Sequence, residues 1–342
     1  MKRLLCSLLL LSLIFTGCTK IIPPAAEQKQ YNATFLSLFD TVTTIVGRAD
    51  SQSEFHEKAQ AVHDELLIYH QLFDIYNDYE GINNLKTVND AAGKAPVKVD
   101  RAIIDLLLDC KRYYTATNGK VNVAMGGVLQ LWHEARNDSI DDPLNAYLPD
   151  SEQLTQAAQH KDLNAVLIDE TASTVYISDA KVRLDVGAIA KGWATQRVAE
   201  SAPKGLLISV GGNVCATGPK DESGTPWVVG IQNPDGGDYL HTVYVKNECV
   251  VTSGDYQRYF VVDGKPYHHI IDPVTLLPST YWRSVTIVCS DSGLADALST
   301  ALFLMPQAEG QSLLDQLGAM AMWVDQDGKI SYSPGFEAII KT

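Results

Sequence analysis

Basic residues are in short supply in this 342-residue chain: 27 Lys and Arg stand against 41 Asp and Glu, a formal net charge of −14. No basic run occurs outside the extreme N-terminus. Phosphate-backbone affinity is built from clustered Lys and Arg, so the balance argues against a nucleic-acid partner. Cysteine is also sparse, six residues with no CxxC among them. Cys110, Cys215, Cys249 and Cys289 are widely spaced in a chain long enough to bury a core without staples, and they are expected as buried free thiols. Internal repeats and low-complexity tracts are absent, and no apolar run reaches the ~20 residues that a spanning helix needs. The GxxxxGK[ST] phosphate loop is missing too. If this protein handles a phosphate, then glycines, helix N-termini or a metal must hold it.

What remains is the composition of an ordinary folded protein, 46% hydrophobic and 20% charged, with length for one large domain or two intimate ones. Met1-Lys2-Arg3 followed by the apolar run Leu4 to Phe15 and the small pair Thr16-Gly17 reads as a secretory signal. Phe15-Thr16-Gly17-Cys18 resembles the bacterial lipoprotein box. Residues 1–17 are therefore expected to be removed and Cys18 lipidated, which anchors the chain to a membrane of the bacterial cell envelope, facing the periplasm or the exterior. IIPPAAEQKQ (21–30) ends a flexible tether over residues 18–30, and residues 31–342 form a single domain.

Along that domain, alternation predicts a strand over 35–46, and apolar spacing predicts helices over 54–74 and 99–117, the latter capped by Asp100. The acidic stretch 137–148 reads as an exposed insertion and 151–159 as a short helix. Strands are expected at 165–168, 174–177 and 182–186, then a helix from Ala190. LLISV, WVVGI, TVYV, VVTS, YFVV, HHII and SVTIVC give a strand-rich second half. A helix over 291–305 and a hairpin over 320–332 close the chain. The class is α+β, mixed, with mainly antiparallel sheets and flanking helices.

Four constellations could carry chemistry. Arg183-Leu184-Asp185-Val186-Gly187-Ala188-Ile189-Ala190-Lys191-Gly192 runs from a strand through glycine into a helix, which aims backbone N–H groups and a helix dipole at an anion; packing glycines and a solvated lysine would give the same pattern. Ser209-Val210-Gly211-Gly212-Asn213 ends a strand in two glycines, which suits either a close-lying ligand or a tight hairpin. TSGDYQRY (252–259) is followed by Tyr267-His268-His269-Ile270-Ile271-Asp272-Pro273. Adjacent strand histidines face opposite ways, so His268 and His269 do not chelate one metal. Finally, Asp296 and Thr300 lie at i and i+4 in SGLADALSTAL (292–302), one above the other on a helix face. Their hard oxygens suit Mg²⁺, although an Asp in a first turn also serves the helix dipole.

LFDT around Phe39-Asp40-Thr41, then LDVGAIAKGWA, SVGGN, TSGDYQRYF, HHIIDP and SGLADALSTALF in this order resemble the ApbE family of FAD:protein FMN transferases, over nearly all of residues 35–305. The resemblance implies a T-fold-like core and a Mg²⁺-dependent reaction in which FAD is cleaved at its pyrophosphate. FMN is then joined through phosphate to a Thr or Ser hydroxyl of an exported acceptor protein, and AMP leaves. It also implies roles residue by residue. Asp296, Thr300 and the Ala188 carbonyl match metal ligands, and Lys191 matches the motif lysine. Gly211, Gly212, Asn213, Ser253, Gly254, Asp255 and Asp272 match cofactor-binding positions. His269 matches the histidine regarded as catalytic, with Asp296 beside it. The sequence departs from the family at Asn122, usually aspartate, at Val123-Ala124-Met125, and in NDYEGINN (77–84), which lacks the usual serine. An FAD pyrophosphatase on the same site, and a non-catalytic flavin-binding lipoprotein, are the competing readings.

Overall fold

The computed structural model describes residues 28–342. The expected signal peptide, Cys18 and the tether as far as residue 27 lie outside the described residues.

The first half alternates short strands with helices: β1 Lys29–Phe35, β2 Thr43–Ala49, α1 Gln52–Phe73, α2 Leu85–Asp90, β3 Val97–Lys98, α3 Arg101–Ala116, α4 Gly126–Asp141, α5 Ser151–Ala158, β4 Val166–Asp169, β5 Thr174–Ile177 and α6 Ala190–Ser201. The second half is strand-rich: β6 Leu206–Val210, β7 Asn213–Ala216, β8 Trp227–Ile231, β9 His241–Val245, β10 Cys249–Gly254, β11 Tyr259–Val262, β12 Lys265–His268 and β13 Trp282–Cys289. Then come α7 Ser292–Phe303, α8 Gln307–Leu317, β14 Met320–Asp325 and β15 Ile330–Tyr332. Eight strands form one sheet in the order β1-β2-β6-β7-β10-β13-β14-β15, with antiparallel pairings throughout. The expected α+β class with mainly antiparallel sheets is the architecture found.

Alternation assigns the two faces of this sheet. Ile45, Ile208, Val251, Val285, Ile287 and Trp323 point into the main core with α1, α3, α6 and α7. Val250, Val288, Met322 and Val324 point the other way, under the β8–β9 hairpin and Phe336. A smaller core, Trp132 with Phe260 and Val262, joins α4 to the β11–β12 hairpin. The Asp100 cap is found as read, accepting from the Ala102 N–H at 2.8 Å; Asp291, expected as the first helical residue, instead caps α7, accepting from the Leu294 N–H at 2.9 Å.

Several expectations are corrected. The strand expected over 35–46 is two strands, β1 and β2, because Phe39 and Asp40 take left-handed conformations (φ 53° and 51°) in a short turn between them. Residues 182–186 form no strand. Their backbone is satisfied singly instead: Leu184 exchanges two bonds with the Asn89 side chain (2.7 and 3.0 Å), Asp185 N–H donates to Val123 O, and Gly126 N–H donates to Arg183 O. The stretch 137–148 is not wholly an insertion, since α4 runs to Asp141 with Ala135 and Ser139 buried. Of HHII only His268 lies in a strand. Cys215 and Cys249 are disulfide-bonded, against the expectation of free thiols, because antiparallel pairing sets them directly opposite. Cys110 and Cys289 are buried free thiols.

Candidate active site at the α6–α7 contact

Two helices meet here with almost no side chain between them. A Cβ at Gly192 of α6 would collide with the Ser292 carbonyl and with the Cβ of Asp296 on α7. Glycine therefore lets the backbone approach, and the Gly192 N–H donates to Asp296 Oδ2 at 2.8 Å. This N–H belongs to the first turn of α6, where no intrahelical acceptor exists and where no side chain caps the helix. The positive end of α6 thus faces a buried carboxylate.

Asn213 supplies a second donor, Nδ2 to the same Oδ2 at 2.9 Å. It reaches this position because Gly211 and Gly212, at φ 57° and 92°, close a two-residue turn between the paired residues Val210 and Asn213, a geometry that requires positive φ. SVGGN is therefore a tight hairpin that also delivers Asn213 to Asp296. Gly211 packs on the LFDT turn, where a Cβ would stand 2.6 Å from Thr41 Oγ1. Lys191 Nζ lies 3.8 Å from Asp296 Oδ2 and 3.3 Å from the Gly187 carbonyl.

All three contacts fall on Oδ2. Asp296 is only 4% exposed, yet among the described residues no hydrogen bond reaches Oδ1. Burial raises its carboxyl pKa, with Lys191, the Gly192 N–H and Asn213 pulling it back. A buried carboxylate with a free oxygen, a hydroxyl one turn further along α7 at the half-buried Thr300, and the half-buried Ala188 in the turn that feeds α6 make a set of hard oxygen donors. Mg²⁺ takes one or two carboxylates and keeps waters, so these residues fit it. Among the described residues no group of three or more His, Cys, Asp or Glu is arranged as a metal site; a Mg²⁺ site with a single carboxylate does not need one.

A second wall comes from the HHIIDP segment. His268 is fully engaged, Nε2 at 2.7 Å from Ser279 O and Nδ1 accepting the Ile270 N–H, and packs edge-on to Phe303. His269 has left the strand. Its Nδ1 is 3.2 Å from Arg258 O, and burial with the nearby Arg258 and Lys191 charges lowers its pKa to about 3, so the ring is neutral at neutral pH. Asp272 shapes this loop: Oδ1 accepts the Val274 and Thr275 N–H groups and Oδ2 accepts from Lys120 Nζ at 2.7 Å. Lys161 Nζ donates to Pro273 O nearby.

Ser253 Oγ bonds Ser299 Oγ at 2.8 Å and so ties β10 to α7; Gly254 lies against the Tyr256 ring. Asp255 faces Arg283 at 4.0 Å, its carboxyl raised by burial. Asn122 holds the entry to α4, accepting the Ala124 N–H and donating to Lys161 O.

The structure also gathers residues that were not singled out. Tyr76 stacks on His133 with ring centroids 5.4 Å apart, and Arg136 donates to His133 Nδ1 at 2.9 Å. Burial and the Asp185 charge push the Tyr76 hydroxyl up to about 12. Asp185 is itself raised by burial, with His133, Arg258 and Lys191 pulling it back, and it accepts the Gly187 N–H at 2.8 Å. Asp185 and Arg258 lie within LDVGAIAKGWA and TSGDYQRYF, so the sequence marks both. Tyr76 and His133 carried no signal, since a lone aromatic and a lone helical histidine are ordinary residues.

The ApbE family model matches residues 39–323. The FAD:protein FMN transferase of Treponema pallidum is 35% identical over 271 residues, 73% of each chain. That of Klebsiella pneumoniae is 31% identical over 267 residues, 74% of this chain and 80% of its own. Among solved structures, the ApbE protein of Thermotoga maritima superposes with a TM-score of 0.80 at 30% identity, over 92% of this chain and 100% of its own. The flavin transferase ApbE of Vibrio cholerae, at 22% identity and a TM-score of 0.75 over 92% of this chain and 100% of its own, shares the fold.

Proposed function

As a member of the ApbE family, this chain is a transferase of the FAD:protein FMN class, and we propose that it moves FMN from FAD to a Thr or Ser hydroxyl of an exported acceptor protein, releasing AMP, with Mg²⁺ as cofactor. The observation that carries this reading is Asp296: buried, fixed through one oxygen by Gly192 and Asn213, with the other oxygen free. Asp296 Oδ1, the Thr300 hydroxyl and the Ala188 carbonyl would hold Mg²⁺, which supplies positive charge to the diphosphate of the bound flavin nucleotide.

The chain's own groups do the rest. Lys191 Nζ and the N-terminal turn of α6 set positive charge along the diphosphate within a protein of net charge −14; this local charge prevails because fields beyond ~8–10 Å are screened. With His269 Nδ1–H donating to Arg258 O, Nε2 keeps its lone pair and accepts the acceptor hydroxyl's proton. The hydroxyl oxygen bonds the FMN phosphorus while the bond to the AMP oxygen breaks. The low pKa of His269 rises as the diphosphate enters, since a nearby anion favours the protonated ring. The Tyr76–His133 pair offers an aromatic platform on which a flat ring of the nucleotide stacks. Phosphoryl transfer depends chiefly on positioning and charge, which this arrangement supplies. Residues 31–342 act as one catalytic unit, held at the cell envelope through lipid on Cys18.

Incubation with FAD, Mg²⁺ and a candidate exported acceptor tests the reading. Covalently yellow acceptor, seen by gel fluorescence and by the mass of FMN added, is expected. AMP release with water as the only acceptor overturns transfer in favour of a pyrophosphatase, and tight FAD binding without AMP overturns catalysis altogether.

A further inference from the structure

Cys215, Cys249 and Cys289 stand in one row across three neighbouring strands. Cys249 of β10 lies directly opposite Cys215 of β7 on one side and directly opposite Cys289 of β13 on the other. Directly paired residues project to the same face of a sheet, with Cβ atoms ~4.5–5.5 Å apart. Here it is the face beneath α6 and α7: Cys249 Sγ is 3.9 Å from Gln196 Oε1, and Cys289 Sγ is 3.2 Å from the Asp291 carbonyl. Gln196 Oε1 also accepts the Ser292 N–H, so both sulfurs border one small region. Cys215 and Cys249 are bonded and Cys289 is a buried free thiol. Cys249 thus faces a cysteine on either side: Cys215 in a non-hydrogen-bonded pair with Cα atoms 4.1 Å apart, and Cys289 in a hydrogen-bonded pair, where Cα atoms stand ~5.5 Å apart, wider but within the span a disulfide bridges.

The order of the strands adds a directional argument. Displacement at a disulfide sulfur proceeds with the entering and leaving sulfurs on opposite sides of the sulfur attacked, and β10 lies between β13 and β7. We propose that this row is a thiol–disulfide exchange site in which Cys289 displaces Cys215 from Cys249. The Cys289 sulfur, as thiolate, forms a bond to Cys249 Sγ. The Cys215–Cys249 bond breaks, its electron pair goes to Cys215 Sγ, and Cys215 takes up the proton that Cys289 gave up. One disulfide and one thiol are present before and after, so no outside oxidant or reductant enters. Burial pushes the Cys289 thiol up to about 11, which keeps the thiolate scarce and the exchange slow at neutral pH.

The covalent tie then moves from β7–β10 to β10–β13. β7 is the strand that carries Asn213, two residues before Cys215 on the same face, and Asn213 donates to Asp296. The position of the tie thus bears on how firmly the carboxylate is held, a consequence that rests on the proposed function; the exchange itself does not.

Non-reducing peptide mapping of Cys215→Ser, after treatment with oxidised glutathione in mildly alkaline buffer, tests the site. A peptide joining Cys249 to Cys289 is expected, glutathione leaving in its reduced form. Recovery of both cysteines as free thiols or as separate glutathione adducts overturns the proposal. Should that variant not fold, the wild-type chain held with a trace of reduced glutathione and quenched in acid is expected to give a minor Cys249–Cys289 peptide that Cys289→Ser lacks. A wild-type map holding the Cys215–Cys249 peptide alone overturns the proposal as well.

Discussion

Gly192 and Asp296 are joined by a 2.8 Å hydrogen bond from the backbone of one helix to the carboxylate of the next, at a point where no side chain fits between the helices. The bond aims a helix N-terminus at a buried charge and leaves Asp296 Oδ1 free.

Gly192→Ala should damage both stability and activity. The added methyl meets the Ser292 carbonyl, which is backbone and cannot swing aside, so α6 and α7 must separate. Overpacking of this kind costs about 1–3 kcal/mol. Urea unfolding should show that loss, and FMN transfer should fall further than the stability change explains.

Asp296→Asn keeps the shape but removes the charge. Transfer is expected to drop by at least ~10²-fold, a loss of the order seen when one preorganised electrostatic group is removed. Mg²⁺ should raise the melting temperature of the wild-type protein and leave this variant unmoved. Chelation with EDTA should lower the wild-type melting temperature to its metal-free value and abolish transfer.

Asn213→Ala removes one of two donors to Asp296 Oδ2. Partners that orient a metal ligand are typically worth ~10–100-fold in metal affinity or activity. The Mg²⁺ concentration giving half-maximal transfer should rise within that range. A rise in the FAD KM with unchanged Mg²⁺ dependence would contradict this role.

His269→Ala should lower kcat by ~10²–10⁴-fold, the usual worth of a positioned proton acceptor, while FAD binding by fluorescence titration is retained. The same ring predicts an acid effect on stability. Its pKa is about 3 in the folded chain against an ordinary 6.5, so between these values the unfolded chain binds a proton that the folded chain does not. Stability contributed by this group is therefore complete above about 6.5 and is lost as pH falls toward 3. Chemical denaturation across that window should show a shallower decline in the variant than in the wild type.

Much of this was legible in the chain, for identifiable reasons. The Asp100 helix cap and the alternating strands of the second half are local signals, and the structure follows them. The motif segments come together because glycines at 192, 211 and 212 permit contacts that other residues would block. Misreadings occurred where tertiary partners overrode the pattern. Residues 182–186 alternate like a strand but have the Asn89 side chain, 95 residues away, as a ladder partner. The end of α4 buries Ala135 and Ser139 rather than large apolar residues, so no hydrophobic period marks it. The role of Asn213 beneath Asp296 depends on a contact 83 residues away that no local pattern encodes.

β1 matters to the sheet beyond its own seven residues. It pairs with β2 from Lys29↔Ala49 to Phe35↔Thr43 and so occupies the backbone N–H and C=O groups that β2 would otherwise present to solvent. β1 is itself the rim of the sheet, with mostly exposed side chains; a chain shortened to begin after Phe35 would pass the rim to β2, whose alternate residues are buried, a more apolar template for another chain. Such a truncated protein should self-associate rim to rim and run as higher oligomers on gel filtration, even with every residue of the Asp296 site still in place.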